Sequence, residues 1–308
     1  MDVVAALDFG GTKIALATAT PAGEILEHER IDTERSQGAV RALRRAMEAA
    51  RALLERGGGR CLAVGAVCPG IPRDDRVLLA PNVPGWGDLA FEREVRAGLG
   101  VERVAVRNDV KAAAEAEARW GALRGADPAV FLSLGTGIAA AIVAGGCVLE
   151  GAHGAGGELA YVLGGPEEPH AFADGHAPLE ERAGGRFVGE RASVVAGRPM
   201  TAAHAFASDD PRVAALVDET LDELAVHVAN LAIVVDPARI AVGGGMMGSP
   251  ERVLGALRAR LERAVPFPPA VVAARFVHDG ALRGALALAL DLVAAPETSG
   301  VARGGGVV

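Results

Sequence analysis

Apolar residues fall along this chain in short runs that end on glycine or on an Asn-Asp pair, and these runs alternate with longer stretches of helical periodicity. Val3 to Leu7 is the first such run. It leads into Asp8, Phe9, Gly10, Gly11, Thr12 and Lys13, and a second run follows from Ile14 to Ala19, so the pattern predicts a β-hairpin closed by a glycine turn. Leu62 to Val67 predicts a buried strand that ends in the rigid Cys68-Pro69-Gly70-Ile71-Pro72 turn. The extended segment Val101 to Arg107 gives way at Asn108 and Asp109 to an alanine-rich helix, Val110 to Trp120. Ala129 to Leu134 and Ile138 to Ala144 flank Gly135, Thr136 and Gly137, which repeats the strand, glycine turn, strand unit of the N-terminus. Ile240 to Val242 is a short strand before Gly243, Gly244 and Gly245, with a helix from Pro250.

Longer periodic stretches supply the scaffold. Ser36 to Arg56 places Ala39, Leu43, Met47, Ala50 and Leu54 at helical spacing and stops at Gly57 to Gly59. Val213 to Val235 and Ala281 to Ala294 read as further apolar helices, and His227 within the former reads as a helix-surface or core histidine. Strands alternating with helices predict an α/β fold, and the hairpin used twice predicts two duplicated lobes that clamp a nucleotide. The boundaries follow: residues 1–108 with helix 281–294 as an N-terminal lobe, 109–280 as a C-terminal lobe, and 295–308 as a disordered tail.

Candidate chemistry sits at the turns. Asp109 stands at a strand-to-helix corner, where ligands of α/β sheets usually bind, and is read as a catalytic base; the alternative is a carboxylate that merely caps a helix. Gly10 and Gly11 allow backbone amides to approach phosphate oxygens, Thr12 and Lys13 add a hydroxyl and a cation, and Asp8 is assigned to magnesium through water. Gly135 and Thr136 repeat the phosphate turn, Gly137 is assigned to the acceptor, and Gly244 and Gly245 are placed against the ribose and base of the nucleotide. In the Pro-rich loop from Leu78, Asn82 is a candidate for a substrate hydroxyl and Trp86 for packing beside it.

Composition narrows the partners rather than the chemistry. With 308 residues, half of them hydrophobic, the chain is long enough for two cores. A formal net charge of -8 with no basic arm argues against nucleic acid. The start has no basic leader and no apolar run long enough to span a bilayer, so the expectation is a cytoplasmic protein. Cys61, Cys68 and Cys147 are odd in number and lie in apolar runs, as reduced core thiols do.

DFGGTK (8 to 13), PNVPGW (81 to 86), RND (107 to 109), LGTG (134 to 137), GAHGAGGEL (151 to 159), DPARIAVGGGM (236 to 246) and LRGALALAL (282 to 290) occur in an order that resembles the ROK family of repressors, open reading frames and kinases. The resemblance implies two ribonuclease-H-like lobes of the actin and hexokinase superfamily around a nucleotide cleft. It also implies ATP with magnesium, a sugar acceptor and a homodimer. The phosphate motif begins at Asp8, so the kinase branch is implied rather than the repressors, which carry an N-terminal helix-turn-helix. By the same resemblance Asp109 takes the proton of the attacking hydroxyl, while Asn108, Glu158 and Glu180 hold the other hydroxyls.

The departures shape the expected substrate. The family's zinc-binding histidine and three cysteines fall at Tyr161, Ala171, Ala173 and Pro178 of this chain, so no structural zinc is expected. His170, Asp174 and His176 nearby read as a solvated loop. Tyr161 keeps a hydrogen-bonding tip in the acceptor pocket but enlarges it. Ala139, Ala140 and Ala141 replace family glycines, which speaks against close backbone approach there. A hexose, an amino sugar or a cyclitol all fit, and a sugar-responsive regulatory protein without catalysis is the alternative in another class.

Overall fold

The computed structural model describes residues 1–80 and 83–295. Asn82 and the tail beyond Ala295 lie outside the described residues. The chain divides into two units, the first made of Met1–Ala66, Pro72–Val106 and the chain from Ala285, the second of Val67–Ile71 and Arg107–Gly284.

The first unit is built on β1 (Val3–Phe9), β2 (Lys13–Ala19), β3 (Ile25–Asp32), β4 (Cys61–Cys68) and β5 (Val104–Asn108). They form one sheet in the order β3-β2-β1-β4-β5. The predicted hairpin is present, β1 running antiparallel to β2 with Val4 opposite Ala19 and Phe9 opposite Ile14. Helix α1 (Ala39–Gly57) starts three residues later than the periodicity predicts. Gly38, at φ 83, separates it from a short 3-10 turn at Arg35–Gln37. Its buried face is Ala39, Ala42, Leu43, Ala46, Met47, Ala50 and Leu53. That stripe follows the helical period more closely than the predicted one, and leaves Leu54 half-buried. Gly58 ends the helix in the left-handed region at φ 61.

Trp86 corrects an expectation. It is 3% exposed and packs in the core against Phe9 at 5.6 Å and Phe91 of α2 (Phe91–Leu99) at 5.5 Å, so it serves packing rather than a substrate. The C-terminal helix presses on β4 here, since a Cβ on Gly65 would lie 1.8 Å from the Ala285 carbonyl oxygen.

The second unit opens with α3 (Asp109–Trp120) and continues through β6 (Ala129–Leu134), β7 (Ile138–Ala144) and the short β8 (Cys147–Val148). Helices α4 (Pro178–Ala183), α5 (Gly185–Ala196), α6 (Ala202–Phe206) and α7 (Pro211–Val235) precede β9 (Arg239–Gly243), α8 (Pro250–Ala264), β10 (Ala270–Ala273) and α9 (Gly280–Ala294). Its sheet has the order β8-β7-β6-β9-β10, which is the order of the first sheet when each is numbered from its own hairpin. The duplication inferred from two glycine turns is therefore a duplication of sheet topology. Strand periodicity of two decides the layers: Val130, Leu132 and Leu134 of β6 face a core shared with α7 and α8, and Ala129 and Phe131 face α3.

The alanines of α3 do more than favour a helix. A Cβ on Gly284 would lie 2.1 Å from the Ala112 carbonyl oxygen, and one on Gly280 would lie 3.2 Å from the Ala113 Cβ, so small residues on both helices permit the close approach of α9. Glu117 of α3 is fully buried, and its carboxylate accepts from the backbone N–H groups of Ala122, Arg275 and Phe276 at 2.6, 3.2 and 2.7 Å. His227 is a buried residue of α7, and burial lowers its pKa. Cys68 is buried and Cys61 half-buried, but Cys147 is exposed, contrary to the expectation of three core thiols, because β8 is a two-residue edge strand. No described helix is long and apolar enough to cross a membrane.

Candidate active site

Asn108, the last residue of β5, is the true cap of α3. Its Oδ1 accepts from the N–H groups of Val110 at 3.0 Å and Lys111 at 3.1 Å, while its Nδ2 donates to the Gly70 carbonyl at 3.0 Å. Only one donor of that amide is left over, so Asn108 fixes the corner as much as it could serve a ligand. Asp109 is thereby relieved of the capping task that was its alternative reading. It stands at the first helical position, where its Oδ1 accepts from the Val110 N–H at 2.9 Å. Burial raises its carboxyl from 3.8 to about 6, the Val110 N–H working against the shift and the Glu158 charge with it.

Glu158 and Glu180 reach the same region from other elements. Glu180 lies on α4, and its Oε2 accepts from the Ile138 N–H at 3.0 Å. A Cβ on Gly137 would lie 2.1 Å from that oxygen, so Gly137 must be glycine for the carboxylate to lie across the turn. Glu158 follows the glycine-rich segment after β8. A Cβ on Gly157 would lie 2.0 Å from the Ala140 carbonyl oxygen, and the Ala140 N–H donates to the Gly157 carbonyl at 2.8 Å. Close backbone approach at β7 is thus retained despite Ala139, Ala140 and Ala141, because the missing Cβ is that of Gly157, in the turn that lies against the strand. Burial raises the pKa of Glu158, the Lys111 ammonium lowers it, and Glu180 raises it again. Burial also raises Glu180 and Tyr161, and the latter is raised further by Glu158 and Glu180. Asp109, Glu158, Glu180 and Tyr161 therefore share one desolvated, acidic patch within the second unit.

The segment from Tyr161 to Glu181 is held by its own contacts. Tyr161 meets Phe172 edge-on at 5.3 Å, Arg182 forms ion pairs with Glu168 and Glu223, and Glu181 accepts from the Ala177 N–H at 3.0 Å and lies 3.0 Å from His176 Nδ1. The rings of His170 and His176 stack at 4.2 Å, and Asp174 accepts from the Ala171 N–H at 3.3 Å. Ala171, Ala173 and Pro178 offer no metal donor. An alanine methyl or a proline ring cannot ligate zinc, so the residues at those positions do not fit a structural zinc.

Two further places suit a nucleotide. In the first unit the Gly10 N–H donates to the Lys13 carbonyl at 2.9 Å, and a Cβ on Gly10 would lie 2.7 Å from that oxygen, so the tight turn requires glycine. Thr33, which sequence reasoning missed, clamps it: its hydroxyl donates to the Gly10 carbonyl at 2.7 Å and its N–H to the Thr12 carbonyl at 2.9 Å. Thr12 and Lys13 are exposed, Gly11 is half-buried, and Asp8 is a half-buried carboxylate at the end of β1, a hard donor of the kind magnesium takes.

In the second unit a cavity of about 410 Å³ is lined by the expected Gly135, Thr136 and Gly245. Gly244, which is not among the lining residues, precedes Gly245 at φ 95, where a Cβ would meet the Leu134 carbonyl oxygen at 2.5 Å. The opposite wall was not foreseen: Gly185, Gly189, Met200, Ala202 and Met246. The N–H groups of Gly185 and Arg186 donate to the carbonyls of Gly135 and Thr136 at 3.0 Å each, and a Cβ on Gly185 would lie 2.4 Å from the Gly135 oxygen. The available signal was Gly185 and Gly189 one helical turn apart, which leaves a helix face without side chains. The turn from Gly135 to Gly137 thus joins this cavity to the acidic patch.

Comparisons with known proteins point the same way. Residues 4–292 match the ROK family. The chain is 31% identical to a glucokinase of Thermotoga maritima over 92% of its own length and 95% of that protein. It is also 31% identical to an N-acetylmannosamine kinase of Escherichia coli O7:K1, over 92% of this chain and 97% of that one. Among solved structures, a ROK glucokinase from Streptomyces griseus in complex with glucose and AMPPNP aligns with a TM-score of 0.78 at 28% identity, covering 94% of this chain and 99% of that chain. The fold is accordingly the two-lobed α/β fold of the actin and hexokinase kind. With a family match from end to end of the described fold and relatives of this identity, the chain belongs to the ROK family.

Proposed function

We propose that this member of the ROK family, an ATP-dependent carbohydrate kinase, transfers the γ-phosphoryl group to a hydroxyl of a small sugar or sugar-like polyol, with Asp109 as the general base. The observation that carries this reading is the desolvated carboxyl of Asp109, held at a helix start beside Glu158, whose neighbour Glu180 in turn lies against the Gly-Thr-Gly turn. A base whose pKa is about 6 is ionised at neutral pH yet basic enough to accept a hydroxyl proton as the bond to phosphorus forms. Phosphoryl transfer asks little covalent chemistry of a protein, so most of the rate comes from holding the alcohol in line.

Glu158 and Glu180 each accept from hydroxyls, which makes the acceptor a polyhydroxylated molecule and penalises analogues that leave a carboxylate unpaired. Tyr161 offers a phenol where the family has a metal-bound histidine. Glucose is bound in the S. griseus structure and N-acetylmannosamine is named for the E. coli relative, which supports a hexose or an N-acetylated hexosamine as acceptor, and a cyclitol presents the same kind of hydroxyl array to the carboxylates. Gly10, Gly11, Thr12, Lys13, Gly135 and Thr136 hold phosphates in this reading, and Gly244 and Gly245 lie against the nucleoside. Asp8 would hold magnesium, which neutralises charge on the phosphates when bound. A cytoplasmic homodimer belongs to the same proposal, two-fold dimers being the commonest closed assembly.

ADP release is measured with ATP and magnesium over a panel of hexoses, N-acetylated hexosamines and C7 cyclitols, alongside Asp109→Asn. One strong acceptor whose turnover depends on Asp109 is the expected result. Silence across the panel, with sugar binding still seen by calorimetry, would overturn the kinase in favour of a sugar-responsive binding protein.

A further inference from the structure

Lys111 stands two residues after the base and is only 1% exposed, a rare place for an ammonium group, which must find partners when removed from water. Its backbone N–H belongs to the Asn108 cap. Its Nζ crosses to the segment that precedes Glu158, donating to the Gly154 carbonyl and lying 3.7 Å from Glu150 Oε2. Arg107, at the end of β5, reaches the same carboxylate at 3.0 Å and Glu115 at 3.7 Å. Two cations of the Asp109 corner thus grip the glycine-rich segment that aims Glu158. That segment needs the grip: Gly151, Gly154 and Gly157 all have positive φ, and its turns are closed by the N–H groups of Gly154, Gly156 and Glu158 donating to the carbonyls of Gly151, Glu150 and Ala155 at 3.3, 3.0 and 3.4 Å.

Charge gives the arrangement a second consequence. Glu180 raises Glu158, which in turn raises Asp109 and Tyr161, while Glu180 itself faces Glu181 and Arg186; Lys111 is the cation whose charge works in the opposite direction at Glu158. We propose that Lys111 is a positioning residue of the acceptor site, tying the Gly154 carbonyl to the Asp109 corner and holding Glu158 as a carboxylate that can accept from sugar hydroxyls. This rests on the kinase reading for its substrate, but not for the pairing itself.

Two variants separate tether from charge. Lys111→Gln keeps a donor for Gly154 and loses the charge, and Lys111→Met loses both while filling the volume of the stem with no buried polar atom of its own, which gives a second variant should the glutamine one fail to fold. Folding is checked first by thermal melting. The titration of Glu158 is then followed by 13C NMR on carboxyl-labelled glutamate, assigned with Glu158→Gln. In either variant its midpoint is expected to rise by at least about half a pH unit. The acceptor KM should rise at least about fivefold, more at pH 6 than at pH 8, with the KM for ATP within about twofold of wild type. A midpoint that does not move, or equal losses for ATP and acceptor, overturns the proposal. If the wild type phosphorylates no acceptor, the kinase reading fails, and the Glu158 titration still decides the role of Lys111.

Discussion

Asp109→Asn tests the base and its cost to the fold at once. The substitution keeps shape and the acceptor for the Val110 N–H, which lies 2.9 Å from Oδ1, and removes only the charge. The carboxyl is raised from 3.8 to about 6, chiefly by burial. Two pH units correspond to about 3 kcal/mol, or roughly 2 kcal/mol after allowance for the part of the residue that remains exposed. The sign follows from the direction: the folded state holds the proton more tightly than the unfolded one. The ionised side chain therefore destabilises the fold in full above about pH 6, to about half that extent at pH 5, and not at all well below 3.8. The stability of the variant relative to wild type should accordingly improve by about 2 kcal/mol between pH 4 and pH 8, read from denaturant melts, while turnover at pH 7.5 falls at least about a hundredfold. The wild-type kcat/KM should decline as pH falls through about 6. A relative stability that does not change with pH, or a variant that turns over normally, would refute the account.

Gly137→Ala forces a Cβ to within 2.1 Å of Glu180 Oε2, so the acceptor KM should rise about tenfold or more in steady-state kinetics, with the KM for ATP less affected. Gly185→Ala places its Cβ 2.4 Å from the Gly135 carbonyl instead, and should weaken nucleotide binding measured by calorimetry. Glu117→Gln keeps one acceptor oxygen but sets an amide donor against at least one of the three backbone N–H groups, and should cost about 2 to 3 kcal/mol in denaturant melts. Elemental analysis of the purified protein should find far less than one zinc per chain, since Tyr161, Ala171, Ala173 and Pro178 stand at the family's ligand positions.

Local pattern determined the strands, most helices, the two glycine turns and the strand-to-helix corner at Asp109, because those features depend on side-chain period, glycine conformation and caps that act within a few residues. Even there, local signals erred where backbone geometry decided: Gly38 delayed α1, and Cys147 fell on an exposed edge. Only the tertiary structure showed that Asn108 takes the cap and leaves Asp109 to burial, that Glu180 lies on Gly137, that Gly157 supplies the approach Ala140 was thought to forbid, and that Gly185 and Gly189 line the same cavity as Gly135 and Thr136. Trp86 went from candidate ligand contact to core for the same reason. Burial, and the fields of charges far apart in sequence, arise only when distant segments meet. A sequence can show which residues are able to ionise; the packed chain sets how readily each does so, and beside which neighbours.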